Sequence, residues 1–176
     1  MRKRKKALLK TGGALLLFLA FSSFQTGYDL LPPPKNAVIA PACSTFPLYP
    51  PLAKATVTAP FSYRLDPFTG QVDFHYGLDL SAEEGTEIRA VMGGVVLKAE
   101  EQQSYGNYIL IDHYNGFQSL YAHCSKLLAK PGEKIESGQV IAFSGSTGRA
   151  TGPHLHIELR LNGKWLDPGY FWEIYD

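Results

Sequence analysis

Closely spaced turn signals divide residues 56–176 into short segments, and they constrain the fold more than any other feature of the chain. Segments this short accommodate β-strands more readily than helices of ordinary length. The sequence therefore predicts a mainly β, largely antiparallel fold with little helix. The turn signals separate runs rich in Val, Ile, Leu and Tyr, and they are Gly93-Gly94, Tyr105-Gly106-Asn107, Asn115-Gly116, Pro131-Gly132, Ser137-Gly138 and Asn162-Gly163.

Three segments give the clearest local predictions. Residues 108–123 are typical of a β-hairpin that turns at Asn115-Gly116, a pair that favours tight turns between strands. Residues 155–161 alternate apolar and polar side chains, as in a strand with one face in solvent. Only residues 125–129 favour a short helix.

Charge is distributed unevenly along the chain. The 176 residues include 17 Lys and Arg against 16 Asp and Glu, a net charge of +1. Six of the basic residues precede residue 11 and the first acid is Asp29, so the remaining 11 basic groups and all 16 acids give residues 11–176 a net charge of −5. A strongly basic nucleic-acid-binding protein is therefore excluded.

The basic head runs into a short apolar segment, residues 14–21, which is the order of an export signal. This segment is shorter than the roughly 20 residues of a membrane-spanning helix. Ala20 and Ser22 fit a cleavage site that would release a chain from near Ser23. We therefore interpret residues 1–23 as a signal peptide, with an uncleaved membrane anchor as the alternative. The protein is expected to be exported, to the cell wall, the outer face of the cytoplasmic membrane or the medium.

Prolines interrupt residues 24–55 repeatedly, and no helical or strand period survives there. Because prolines favour extended, semi-rigid conformations, we interpret this segment as a linker that leads to a domain over residues 56–176. The linker contains Cys43 and the domain contains Cys124. An oxidising compartment permits a disulfide between them, and two free thiols are the alternative.

The histidines carry the clearest chemical signal. His154 and His156 are two residues apart, so on a strand both imidazoles point to one face with Cα atoms about 6.6 Å apart. His75 and Asp79 form a second pair of metal-type ligands. A straight strand would hold them about 13 Å apart, too far to share one ion. We therefore predict that Gly77, which lies between them, bends the chain.

These residues together predict a metal site. His75, Asp79 and one histidine of the His154/His156 pair supply three nitrogen and oxygen ligands. Three protein ligands are typical of catalytic zinc sites, which leave a position for water, whereas closed structural sites use four. His123 and His154 are candidates to accept a proton from that water or to stabilise charge.

Two other polar residues have local interpretations. His113, near the Asn115-Gly116 turn, is assigned to the surface or to local hydrogen bonding. Glu158 lies on the same strand face as His156 and is a candidate to orient a ligand imidazole, although the strand pattern favours an ordinary exposed carboxylate.

At this level of detail the chain resembles the M23 zinc metallopeptidases, also called lysostaphin-like or LytM-type peptidoglycan endopeptidases. The resemblance extends over residues 61–171, nearly the whole predicted domain. It rests on an ordered series of motifs: Phe61-Ser62-Tyr63-Arg64, His75-Tyr76-Gly77-Leu78-Asp79, Gly85-Thr86, Gly93-Gly94-Val95-Val96, Tyr105-Gly106-Asn107, Ile111-Asp112-His113, Tyr121-Ala122-His123, Gly138-Gln139-Val140-Ile141, Gly145-Ser146-Thr147-Gly148 and His154-Leu155-His156.

The resemblance implies a two-sheet, lysostaphin-like fold (the duplicated hybrid motif) with a groove over the metal. It implies that His75, Asp79 and His156 bind one zinc ion per chain. It also implies that His123 and His154 are the catalytic pair that orients and deprotonates the water.

The implied activity is a zinc-dependent endopeptidase that hydrolyses peptidoglycan stems or cross-bridges through a metal-activated water. Its partners are then peptidoglycan peptides, with no nucleic acid and with a membrane only through an uncleaved N-terminal segment; the protein is expected to be a monomer. A noncatalytic wall-binding or hydrolase-regulating module is the alternative. Arg64, Tyr105 and Asn107 are candidates for holding the substrate backbone, with core or turn roles as the rival interpretation.

The charge distribution yields a first testable prediction. If the basic head is removed on export, the mature protein is expected to focus clearly below the whole-chain pI of about 7.8. Isoelectric focusing of the exported protein measures this directly, and a basic mature form would contradict the interpretation of the head as a cleaved signal.

Overall fold

The computed structural model describes residues 31–38 and 47–172. Within these ranges the only helix is a 3-10 helix at Pro168–Tyr170. The strands, numbered in chain order, are β1 (Ala37–Val38), β2 (Val57–Ala59), β3 (Tyr63–Leu65), β4 (Val72–Phe74), β5 (Leu78–Ser81), β6 (Glu87–Arg89), β7 (Gly94–Gln102), β8 (Gly106–Asp112), β9 (Phe117–Cys124), β10 (Lys126–Leu127), β11 (Lys134–Ile135), β12 (Val140–Phe143), β13 (His154–Leu161) and β14 (Lys164–Leu166).

Most of these strands belong to one large sheet, in the order β1-β14-β13-β9-β8-β7-β11, with β5 also paired to β13 and β2 to β5. A smaller sheet has the order β10-β12-β6, and β3 and β4 form a separate hairpin. Strands β1 and β14 are parallel. The other described pairs are antiparallel. The predicted mainly β, antiparallel fold is confirmed.

The hydrophobic core joins the large sheet to the small one. Ile88 and Ile141 from the small sheet belong to the same buried cluster as Ile109, Tyr121 and Leu155 from the large sheet. Leu155 therefore points into the core, as the alternation around it predicts. This packing fixes β13, because losing a buried Leu side chain typically costs about 2–5 kcal/mol.

The described part of the proline-rich segment packs against the domain. Leu48 and Leu52 are buried in the main core cluster. The Tyr49 amide donates to the Val91 carbonyl at 2.7 Å, so the chain continues along the edge of the core. The predicted boundaries at residues 23 and 55 stay predictions, and residues 1–23 and Cys43 lie outside the described ranges. Those ranges contain no helix that is long and apolar enough to cross a membrane.

The local predictions have mixed outcomes. The hairpin of β8 and β9 turns where predicted, with Asn115 and Gly116 in the left-handed region at φ 51° and 77°. The strand over 155–161 is also confirmed. The helix predicted over residues 125–129 is wrong, because Lys126 and Leu127 pair with β12 instead. Contacts across the sheet prevail there over the weak local helix preference.

His113 makes hydrogen bonds but does not lie at the surface. His113 is only 4% exposed, and its Nδ1 donates to the Gly93 carbonyl at 2.9 Å. The opposite nitrogen, Nε2, lies 2.6 Å from the Ser119 hydroxyl, which lies 2.9 Å from the Tyr121 hydroxyl. Burial lowers the pKa of His113, so the folded state favours the neutral imidazole. The prediction of a surface position is wrong, and the prediction of hydrogen bonding is correct.

This buried network predicts a pH-dependent stability difference. His113→Gln is expected to cost about 1–3 kcal/mol at about pH 7.5, because buried polar groups lose their partners. The deficit should shrink at about pH 5.5: the unfolded chain protonates His113 near its ordinary pKa of about 6.5, while the folded state resists protonation, so the wild type loses stability as the pH falls. Urea unfolding of both proteins at the two pH values measures the difference. Parallel stability losses in the two proteins would contradict the account.

Candidate metal centre and groove

An open groove of about 560 Å³ lies over the large sheet where β5 and β13 pair. The β3–β4 hairpin forms one wall, and residues 104–105 with the loop over residues 144–152 form the other. The site residues predicted from the sequence that line it are Arg64, His75, Asp79, Tyr105, His123, His154 and His156.

The register of β5 and β13 explains why two of the predicted ligands meet. Asp79 and His156 are direct cross-strand partners, so their side chains start from adjacent positions on one face. The Asp79 carboxylate atom Oδ1 lies 2.7 Å from His156 Nδ1.

Gly77 brings His75 to the same point. The chain leaves strand β4 before His75 and enters β5 after Gly77, so the predicted bend is present. A Cβ atom at Gly77 would lie 2.4 Å from the His156 ring and 2.7 Å from the Ile157 carbonyl oxygen, so the close approach of β13 requires glycine here. As a result, His75 Nε2 lies 3.0 Å from His156 Nδ1 and 3.1 Å from Asp79 Oδ1.

Hydrogen bonds on the far side of each ring fix which nitrogen faces this point. His75 Nδ1 lies 2.9 Å from the Pro60 carbonyl oxygen, which only accepts, so Nδ1 carries the hydrogen and Nε2 presents a lone pair. His156 Nε2 faces the Glu158 carboxylate at 3.4 Å, which leaves Nδ1 facing inward. Two imidazole nitrogens and one carboxylate oxygen therefore lie 2.7–3.1 Å from one another, close enough to bind a single metal ion.

Three lone pairs so close together repel one another unless a proton or a cation lies among them. Burial lowers the pKa of His75. Burial alone would also lower the pKa of His156, but Asp79 and Glu158 raise it to about 9, and the histidines hold the pKa of Asp79 well below its usual range despite burial. The carboxylates thus favour a proton at His156, and a divalent cation would compete with that proton. The two-nitrogen, one-oxygen donor set fits zinc.

Glu158 is buried, contrary to the strand pattern. The residue is only 2% exposed and accepts hydrogen bonds from the Tyr105 hydroxyl at 2.6 Å, Arg160 Nη2 at 2.6 Å and Trp165 Nε1 at 2.8 Å. Burial opposes its ionisation, but His156 and Arg160 lower its pKa to about 2. Glu158 is therefore a fixed carboxylate behind the His156 ring. Its position two residues after His156 is the sequence signal that points to this contact.

His123 reaches the groove through a backbone irregularity. It lies in strand β9 with φ at 61°, where the register between β8 and β9 shifts, so a bulge directs its side chain toward the groove. Its Nδ1 donates to the Thr147 carbonyl at 2.8 Å, which leaves the Nε2 lone pair available. Burial lowers the pKa of His123 to about 4, so the ring is neutral at neutral pH.

His154 lies beside His123 with the same tautomer. Its Nδ1 donates to the Gly152 carbonyl at 2.8 Å, and the two ring centroids are 4.7 Å apart. Its Nε2 lies 3.8 Å from Asp79 Oδ1, farther than the atoms of His75 and His156. The geometry therefore separates a cluster of three converging groups from a pair of imidazoles beside it.

The three candidate substrate-holding residues make different contacts. Arg64 Nη1 donates to Asp79 Oδ2 at 3.0 Å, so it supports the outer oxygen of that carboxylate. The Tyr105 hydroxyl is engaged with Glu158. The Asn107 side-chain amide donates to the Cys124 carbonyl at 3.1 Å, which places it in the scaffold behind the groove. A substrate-binding role for each of them stays a prediction.

Cys124 points away from His123 into the core, as expected for adjacent residues of a strand. It is a free, buried thiol, and burial raises its pKa to about 12. Burial in the core therefore disfavours a thiolate nucleophile at this position. Cys43, which the sequence permits either to pair with Cys124 or to remain a free thiol, lies outside the described residues.

Comparisons with known proteins show which family and relatives the chain is similar to. The family model described as Peptidase family M23 matches residues 73–168. The peptidoglycan DD-endopeptidase ShyC of Vibrio cholerae is 46% identical over 105 residues, which cover 60% of this chain and 24% of ShyC. The chain spans about a quarter of the length of the curated relatives it matches.

Two solved structures show the same fold. A zinc-containing peptidase from Vibrio cholerae superposes with a TM-score of 0.63 at 34% identity, over 69% of this chain and 38% of that one. The catalytic domain of the antimicrobial peptidase lysostaphin from Staphylococcus simulans gives a TM-score of 0.60 at 31% identity, over 66% of this chain and 91% of that one. The predicted lysostaphin-like fold is confirmed.

The contact at Gly77 predicts a selective defect in metal binding. Gly77→Ala is expected to displace the His156 ring and to weaken zinc affinity by at least tenfold, because a misplaced ligand costs about 1.4 kcal/mol or more. Gly152→Ala is the matched control, because a Cβ there meets no atom within 4 Å. Competition with a fluorescent zinc chelator measures both affinities. Equal affinities in the two variants would contradict the proposed constraint.

Proposed function

The chain belongs to peptidase family M23, and from that premise we propose that it is a zinc-dependent endopeptidase that hydrolyses peptide bonds in peptidoglycan stems or cross-bridges. The observation that carries the proposal is the convergence of His75 Nε2, Asp79 Oδ1 and His156 Nδ1 at the floor of an open groove. The relative named a peptidoglycan DD-endopeptidase supports the substrate class, and the zinc-containing peptidase among the similar structures supports the metal.

His75, Asp79 and His156 would hold the zinc ion. When bound, zinc supplies a Lewis acid that polarises the scissile carbonyl and makes a water molecule nucleophilic at neutral pH. The complete set of ligands favours this enzymatic role over a noncatalytic wall-binding or regulatory module, which would not need it.

His123 and His154 would move the protons. Each ring donates its Nδ1 hydrogen to a backbone carbonyl and presents Nε2 as an acceptor. His123 is neutral at neutral pH because burial lowers its pKa to about 4. Since peptide hydrolysis takes one proton from water and gives one to the leaving amine, two adjacent imidazoles suit both transfers.

The fixed environment of the ligands supports the same mechanism. Glu158 holds the outer nitrogen of His156, and Arg64 holds the outer oxygen of Asp79. Groups of this kind orient ligands, and their removal typically lowers metal affinity or activity by about 10–100-fold. The protein would be exported and act as a monomer outside the cytoplasmic membrane, where peptidoglycan is accessible.

Replacing one ligand and one imidazole should separate metal binding from catalysis. His156→Ala is expected to lose zinc and the cleavage of purified peptidoglycan together. His123→Ala should retain one zinc ion per chain but lose cleavage by at least about 100-fold, because it removes only a proton acceptor. Zinc analysis by mass spectrometry and release of peptidoglycan fragments give the two readouts. Cleavage that survives His156→Ala would overturn the metal assignment, and full activity of His123→Ala would overturn the assigned base.

A further inference from the structure

Arg149 connects the two walls of the groove at its rim. It belongs to the loop over residues 144–152, and its Nη2 donates to both carboxylate oxygens of Asp66, at 3.0 and 2.8 Å. Asp66 follows strand β3 on the opposite wall. The guanidinium also lies over the Phe68 ring, 4.6 Å from its centroid. All three residues line the groove.

The carboxylate that holds Arg149 is itself fixed by its own turn. Asp66 Oδ1 accepts hydrogen bonds from the backbone amides of Phe68 at 3.0 Å and Thr69 at 2.7 Å. The Asp66 amide and carbonyl bond to Gln71 and Gly70 across the same turn. The Asp66 carboxylate is therefore fixed in position. It holds the guanidinium more firmly than an ordinary exposed ion pair would.

The loop that carries Arg149 is also tied to the proposed proton acceptor. The Arg149 amide donates to the Ser104 carbonyl at 2.9 Å. Two residues earlier, the Thr147 carbonyl accepts from His123 Nδ1 at 2.8 Å, and the Thr147 hydroxyl donates to the Cys124 carbonyl at 2.9 Å. The position of Arg149 relative to His123 is thus set by short backbone contacts.

Much of the binding capacity of the Arg149 guanidinium is unused. Guanidinium carries five N–H donors, and the ion pair with Asp66 engages only those on Nη2. Among the described residues, none accepts a hydrogen bond from Nε or Nη1, and the side chain is 44% exposed. By contrast, the guanidinium of Arg64 points to Asp79 and that of Arg160 to Glu158.

We infer that Arg149 is a specificity-determining residue that binds a free carboxylate of the peptide substrate through an N–H donor of Nη1 or Nε that Asp66 leaves free. The inference rests on the proposed function, because peptidoglycan stem peptides carry free carboxylates. A guanidinium held by a fixed partner is suited to a carboxylate, since a charge-assisted hydrogen bond is strong and little freedom is lost on binding. Asp66 and Phe68 act as positioning residues for Arg149.

The test compares acidic and neutral versions of one substrate. Synthetic cross-linked stem peptides are prepared with each carboxylate free and, in a matched series, with that carboxylate converted to a carboxamide. The zinc-loaded full chain is expected to cleave one acidic peptide with kcat/KM about tenfold above its carboxamide, as for one charge-assisted hydrogen-bonded contact. Arg149→Gln should bring that ratio close to one, mainly through a higher KM for the acidic peptide.

Arg89→Gln is the matched control. Arg89 is also a partly exposed arginine in an ion pair, with Glu87, but it does not line the groove. This variant is expected to keep the wild-type ratio, so that an effect of net charge alone is distinguished from a local one.

The outcomes separate this inference from the proposed function. If the wild type cleaves the peptides but shows no preference for any carboxylate, or if Arg149→Gln keeps the preference, Arg149 does not determine specificity and only joins the two walls. If Arg149→Gln lowers kcat/KM equally for the acidic peptide and its carboxamide, Arg149 likewise does not determine specificity. If the wild type and Arg89→Gln cleave none of the peptides, the proposed function itself fails.

Discussion

The site depends on the repulsion among three lone pairs that the fold forces together. His75 Nε2, Asp79 Oδ1 and His156 Nδ1 lie between 2.7 and 3.1 Å apart, and their environment is largely buried. Water cannot readily separate them, so a proton or a cation must. Against the effect of burial, Asp79 and Glu158 raise the pKa of His156 to about 9, which favours a proton there. A divalent ion would satisfy all three groups at once.

The β fold imposes this arrangement through a few local devices. The register of β5 and β13 places Asp79 opposite His156, and the lack of a side chain at Gly77 lets the preceding turn approach β13. The bulge in β9 directs His123 into the groove while Cys124 enters the core. Backbone carbonyls or carboxylates bond the outer nitrogen of each imidazole in the site. The ring orientations are therefore set before any ligand binds, and little reorganisation is left for binding.

Much of this was predictable because it depends on spacing along strands. The two-residue separation of His154 and His156 predicts a common face, and the need to bring His75 and Asp79 together predicts the bend at Gly77. Features that depend on contacts with neighbouring strands could not be predicted from the sequence. Glu158 alternates as an exposed residue should, yet Tyr105, Arg160 and Trp165 cover it. Residues 125–129 favour a helix locally, but Lys126 and Leu127 form a strand that pairs with β12. The left-handed conformation of His123 likewise reflects the β8–β9 register and has no local signal.

The most direct measurement of the central claim is the position of zinc in crystals of the metal-loaded protein, located by anomalous diffraction at the zinc absorption edge. The account predicts one anomalous peak per chain, about 2.0–2.2 Å from His75 Nε2, His156 Nδ1 and a carboxylate oxygen of Asp79. A peak elsewhere, or a zinc ion bound through His156 Nε2 or through His154 in place of His156, would contradict it.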